Sequence, residues 1–155
     1  MDEWETVLPD AAATAALAAR LAPLARAGDV VALRGALGSG KTSFARAFIA
    51  ARAGHAVEVP SPTYTLVQTY GLPDGAIWHF DLYRLARPDD AIELDIDEAF
   101  ATGISLIEWP ERLGNLLPAQ RLDLSLGFEG DGRRAQFAAG DSWPARLATL
   151  ASDAP

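Results

Sequence analysis

Apolar and polar residues fall into short blocks of changing period. Residues 11–22 are rich in alanine, with leucine and arginine, a composition that favours helix, and Asp10 precedes them as an N-cap. Pro23 should end or kink that helix, and Gly28-Asp29 makes the following turn. The run Val30-Val31-Ala32-Leu33 is short, apolar and β-branched, which predicts a buried strand before Gly35. Thr42 to Ala53 predicts a second helix, stopped by Gly54.

The middle of the chain changes to a period of two. Thr65 to Tyr70 alternates like a strand, 71–75 is a turn cluster, and Ala76 to Asp81 returns as the second arm of a hairpin. Pro88-Asp89 can open a short helix, and Asp97 to Ala101 another before Gly103. Ile104 to Glu108 is a second buried-strand candidate, closed by Trp109-Pro110. Arg121 to Phe128 and Arg133 to Ala138 flank Glu129-Gly130-Asp131-Gly132, a second hairpin signal, and a last helical stretch follows Pro144. This succession predicts an α/β protein with a mixed sheet.

With 155 residues, the chain fits a single domain over 1–155, with about 141–155 as a C-terminal helical extension. Half of it is hydrophobic, enough for a core. The absence of cysteine removes disulfides, thiolate metal sites and cysteine nucleophiles. No apolar run approaches the ~20 residues of a membrane span, and the acidic head Met1-Asp2-Glu3-Trp4-Glu5 is unlike a signal peptide. The expectation is a cytoplasmic protein with no membrane partner. A net charge of −8 disfavours a broad nucleic-acid surface. Lys41 is the single lysine among thirteen basic residues.

That lysine sits in Gly35-Ala36-Leu37-Gly38-Ser39-Gly40-Lys41-Thr42, which matches G-x-x-x-x-G-K-[ST] at every fixed position. Glycines let successive N–H groups turn toward an anion with no side chain in the way, and the helix that follows adds its positive end. Lys41 would reach the β- and γ-phosphates, and the Thr42 hydroxyl would bind Mg²⁺. Gly35, Gly38, Ser39 and Gly40 complete the nucleotide-binding set. A chance match is expected in on the order of half a percent of chains. With Lys41 committed to the loop, no lysine remains for a guanine-reading Asn-Lys-x-Asp motif or a protein-kinase strand lysine, so ATP is the favoured nucleotide.

Such a site needs a carboxylate at the end of a neighbouring strand. Glu108 closes one candidate strand and Asp81 another. Glu108 is assigned to the metal and Asp81 to the metal or the attacking water, and the two roles are exchangeable. His79 reads as a packed or exposed strand residue rather than a catalyst. His55 stands too far along the chain, without cysteine, to make a zinc site with it. Trp109 reads as a packing anchor beside Glu108, with a partner-facing role as the alternative. Arg84, Arg87 and Arg112 read as solvated, although one near the site could offset phosphate charge.

Four segments together resemble the TsaE (YjeE) family: residues 35–42, Ser61-Pro62-Thr63-Tyr64-Thr65-Leu66, His79-Phe80-Asp81-Leu82-Tyr83-Arg84 and Ile107-Glu108-Trp109-Pro110-Glu111. The resemblance runs from the first helix to about Leu126. It implies a P-loop NTPase-like three-layer fold with a mixed parallel and antiparallel sheet. It also implies an ATPase, weak alone, of tRNA threonylcarbamoyladenosine biosynthesis. Its partners would be TsaB and TsaD, with tRNA met only through them and TsaC-type enzymes making the adenylate donor. By the same resemblance Lys41, Asp81 and Glu108 are catalytic, and Thr42, Glu108 and Asp81 serve Mg²⁺. Ser61 and Thr63 belong to a nucleotide-sensing switch, and Thr6 lies where the family approaches the adenine.

Two other readings share these residues. A small-molecule kinase would use the same loop, but needs an acceptor pocket and an arginine-rich lid segment, which is not evident between the motifs. A nucleotide-dependent interaction module would bind ATP and dock a partner regardless of Asp81 and Glu108.

Overall fold

The two apolar blocks that read as buried strands lie at the centre of the molecule. In the computed structural model, which describes residues 1–55, 57 and 65–152, β2 (Val30–Arg34) and β5 (Ile104–Glu108) pair in parallel. β6 (Leu122–Glu129) joins β2 on its other side, and β4 (Gly75–Asp81) joins β5, both in parallel. Antiparallel strands finish each edge. β3 (Val67–Leu72) pairs β4, β7 (Gly132–Ala139) pairs β6, and β1 (Glu3–Leu8) pairs β7. The seven-stranded order is β1-β7-β6-β2-β5-β4-β3, so the sheet is mixed, as expected.

Strands with helices on both faces need apolar residues at consecutive positions. On one face α1 (Ala11–Leu21) and α2 (Lys41–Ala53) pack Leu17, Leu21, Phe44 and Phe48 against Val31, Leu33 and Leu106. On the other, α3 (Ile96–Thr102) and flanking turns pack Ile96, Ala99 and Leu113 against Val30, Phe80 and Ile107. Asp10 caps α1 by accepting the Ala13 N–H at 2.9 Å. Pro23 falls within a short 3₁₀ turn, Ala22–Leu24, that continues α1. Gly54 ends α2 in the left-handed region at φ 79°, where a side chain would be strained.

Three features depart from the pattern reading. Glu3–Leu8 forms an edge strand, although the acidic start of the chain does not announce one. Residues 110–116 form a 3₁₀ segment interrupted at Gly114, which follows Pro110 and has no helical period. The strand expected from Thr65 begins at Val67 instead, because Leu66 takes a φ of 68°, which breaks an extended run. The final helix α4 (Pro144–Ser152) sends Leu147 and Leu150 into the core beside Trp143. Its Arg146 forms a buried ion pair with Asp29 at 2.6 Å and lies over the Trp143 ring at 3.7 Å.

Candidate functional site

The C-terminal ends of three parallel strands set the site. Register places Leu33 of β2 beside Glu108 of β5, and Glu108 beside Asp81 of β4. The glycine loop leaves β2 one residue after Arg34 and enters α2 at Lys41. Gly35 is required by packing, since a Cβ there would lie 2.5 Å from both the Leu126 carbonyl and Ser39 Oγ. Gly40 caps α2 at φ 107°, a conformation that few other residues adopt. The first N–H groups of α2 lack intrahelical acceptors and, with the helix dipole, make this end attractive to anions.

Loop, strand ends and Trp109 enclose a cavity of about 260 Å³, into which Lys41, Thr42, Asp81 and Glu108 all project a wall. A second cavity, about 310 Å³, shares Gly38, Ser39 and Gly40 and reaches Asp10, Thr14 and Arg133. Lys41 is 5 % exposed. Its ammonium donates to the carbonyls of Gly35 and Ala36 and sits 4.0 Å above the Trp109 ring. Burial pushes the Lys41 pKa below its ordinary value, against the opposing pull of Glu108, Glu111 and Asp81.

Glu108 is held from two sides. Thr42 Oγ1 donates to its Oε1 at 2.8 Å, and His79 Nε2 meets its Oε2 at 2.7 Å. Asp81 accepts the Tyr83 N–H at 3.1 Å. The donor set of one hydroxyl and two carboxylates consists of hard oxygens and fits Mg²⁺, which is commonly held by one or two carboxylates together with substrate phosphates. Ser39 Oγ, at the loop wall, is buried without a hydrogen-bond partner among the described residues.

Lys41, Thr42, Asp81 and Glu108 are therefore brought together around one cavity. Thr6 lies on β1 opposite Ala135 of β7, and Leu8 further along that strand lines the second cavity. Ser61 and Thr63 lie outside the described residues. Trp109 packs on Lys41 and, at 5.0 Å between ring centres, on Tyr83. Two residues escaped the sequence reading as parts of the site. His79 supports Glu108, and the period-two spacing from Asp81 that puts both on one strand face was the available signal. Arg133 reaches the loop carbonyls from β7, and nothing local in the sequence signals that contact.

A mixed sheet whose central strand runs through a G-x-x-x-x-G-K-T loop into a helix defines an α/β protein with a glycine-rich strand-to-helix loop. Within that class the chain matches the family model "Threonylcarbamoyl adenosine biosynthesis protein TsaE" over residues 8–136. A tRNA threonylcarbamoyladenosine biosynthesis protein TsaE from Rickettsia bellii is 37% identical over 130 residues, covering 84% of this chain and 90% of that one. Its namesake from Bacillus subtilis is 38% identical over 135 residues, covering 85% and 81%. The crystal structure of Bacillus subtilis YdiB superposes with a TM-score of 0.78 at 30% identity, covering 97% of this chain and 93% of the other. The chain belongs to the TsaE family, and so to tRNA threonylcarbamoyladenosine biosynthesis.

Proposed function

We propose that this protein binds and hydrolyses ATP, and that its ATP cycle resets or activates a TsaB–TsaD complex that modifies tRNA in the cytoplasm. The observation that carries the ATPase reading is the convergence of Lys41, Thr42, Asp81 and Glu108 on one cavity at the mouth of the glycine loop. Family membership supports the pathway assignment.

In this mechanism loop N–H groups and Lys41 hold the β- and γ-phosphates. Thr42 and Glu108 are the residues that would hold Mg²⁺, with Asp81 in reach to share that role. The ion, when bound, neutralises charge on the phosphate oxygens. Asp81 orients a water in line with the γ-phosphorus. The water's oxygen bonds to phosphorus as the bond to the β–γ bridging oxygen breaks, leaving ADP and inorganic phosphate. His79 keeps Glu108 aligned through the carboxylate oxygen that Thr42 does not occupy. The net charge of −8 supports leaving the tRNA to the partners.

Reconstitution tests the reading. With TsaB, TsaC, TsaD, tRNA, threonine, bicarbonate and ATP, modification should pass beyond one turnover per TsaD only when this protein is added. Equal multi-turnover without it would overturn the partner assignment. Efficient phosphate transfer to a small acceptor, with no protein partner present, would favour a kinase instead.

A further inference from the structure

The phosphate loop is gripped from outside its own motif. Arg133, the second residue of β7, donates from Nε to the Ser39 carbonyl and from a terminal nitrogen to the Gly38 carbonyl, both at 3.0 Å. Its other terminal nitrogen donates to the Gly132 carbonyl at 2.8 Å, which fixes the guanidinium plane. The Phe128 ring, across the β6–β7 hairpin, lies 4.6 Å from the guanidinium carbon. The hairpin base is itself wedged in place, because a Cβ on Gly132 would stand 2.4 Å from the Leu8 carbonyl.

A trans peptide unit is planar, with its C=O and N–H on opposite sides. Pinning the Gly38 carbonyl therefore fixes the Ser39 N–H, which donates to the Ala36 carbonyl at 3.1 Å, so that unit is held at both ends. Pinning the Ser39 carbonyl turns the Gly40 N–H away from Arg133. Gly38 and Gly40 have φ of 79° and 107°, and glycines released from such constraints sample many other conformations. We propose that Arg133 is a positioning residue for phosphate binding, acting through the loop backbone to pre-organise the peptide units that receive the anion. The cationic donor on the Ser39 carbonyl also polarises the Gly40 N–H of the same peptide unit toward an anion. This role rests on the nucleotide reading given above.

ADP and inorganic pyrophosphate, each with Mg²⁺, are titrated calorimetrically into wild type and Arg133→Ala. Both affinities should fall about tenfold and by the same factor, the loss expected of charge-assisted bonds that order a binding loop. In ATP turnover the loss should appear mainly as a raised KM, by about the same tenfold factor, with kcat lowered less, since Arg133 acts on the phosphate-binding loop and not on the attacking water. Arg133→Lys keeps the charge but not the planar fork, and should not restore affinity. Amide exchange should quicken at Ser39 and Gly40 while β2 and β5 keep their protection. If Arg133→Ala does not fold, Arg133→Gln carries the same titrations.

Unchanged affinity for both ligands overturns the proposal. So does a loss for ADP with pyrophosphate unaffected, which would mean direct contact with base or ribose. Faster exchange throughout the sheet would assign Arg133 to general stability and equally overturn it. Lys41→Ala, titrated in parallel, separates the two claims. If it loses affinity and Arg133→Ala does not, only the positioning role fails; if neither loses affinity, the nucleotide reading fails.

Discussion

Replacing Lys41 by methionine keeps the aliphatic stem and removes the ammonium. In the ligand-free protein the ammonium bonds two loop carbonyls, faces the Trp109 ring at 4.0 Å and is drawn toward Glu108, Glu111 and Asp81. The same group is desolvated, so its removal takes away an unfavourable burial along with those bonds, and the two effects oppose one another in the stability of the fold. No such offset operates on binding. A charge-assisted bond to phosphate contributes roughly 1.5–3 kcal/mol, so ADP–Mg²⁺ affinity should fall about ten- to hundred-fold. Leaving three carboxylates without this cation adds repulsion in the same direction. Isothermal titration calorimetry reads the affinity, and a thermal melt verifies the fold. A folded Lys41→Met protein that binds ADP within about twofold of wild type would refute the site as described.

Glu108→Gln preserves size but loses the charge between Thr42 and His79, and should lower kcat by about a hundredfold or more with ADP binding far less affected, measured by phosphate release. Arg146→Ala leaves Asp29, 11 % exposed, without its charge partner and should cost about 3–5 kcal/mol in denaturant melts, with Asp29→Asn plus Arg146→Met recovering much of the loss. The lowered Lys41 pKa gives two signs with pH. A phosphate raises it, so ADP binding should take up protons in alkaline solution and weaken as pH climbs through the lowered value, which calorimetry in buffers of different ionisation enthalpy detects. In the ligand-free protein the unfolded chain retains this proton longer than the fold, so the Lys41 contribution to stability should grow with pH up to about 10.5.

What could be read along the chain was what neighbouring residues decide. The β2 and β5 blocks are apolar at consecutive positions because they are covered on both faces, and the pattern alone carries that information. Glu108 closes such a strand and Asp81 closes the returning arm of the first hairpin, and the parallel register sets the two side by side. β1 was not legible because pairing with β7, at the far end of the chain, makes it a strand. The Arg133 contact with Gly38 and Ser39 also spans most of the chain and depends on how the β6–β7 hairpin is seated. His79 sat in plain view, and its spacing from Asp81 gives their common face, but only strand pairing brings that face against Glu108.

The solitary lysine has a practical consequence. Apart from two histidines, every other basic side chain is an arginine, so an amine-reactive dye, biotin ester or acylating reagent finds one side-chain amine in the entire sequence. That target lies against an indole, 5 % exposed, in the cavity wall. Mass spectra of the peptide that carries Lys41 after brief acylation, read apart from the chain's α-amine, thus become an occupancy gauge. Modification at Lys41 counts molecules whose loop has opened, and bound nucleotide should silence it. Conversely, tethering the protein to a sensor surface through its lysine would sacrifice the site under study.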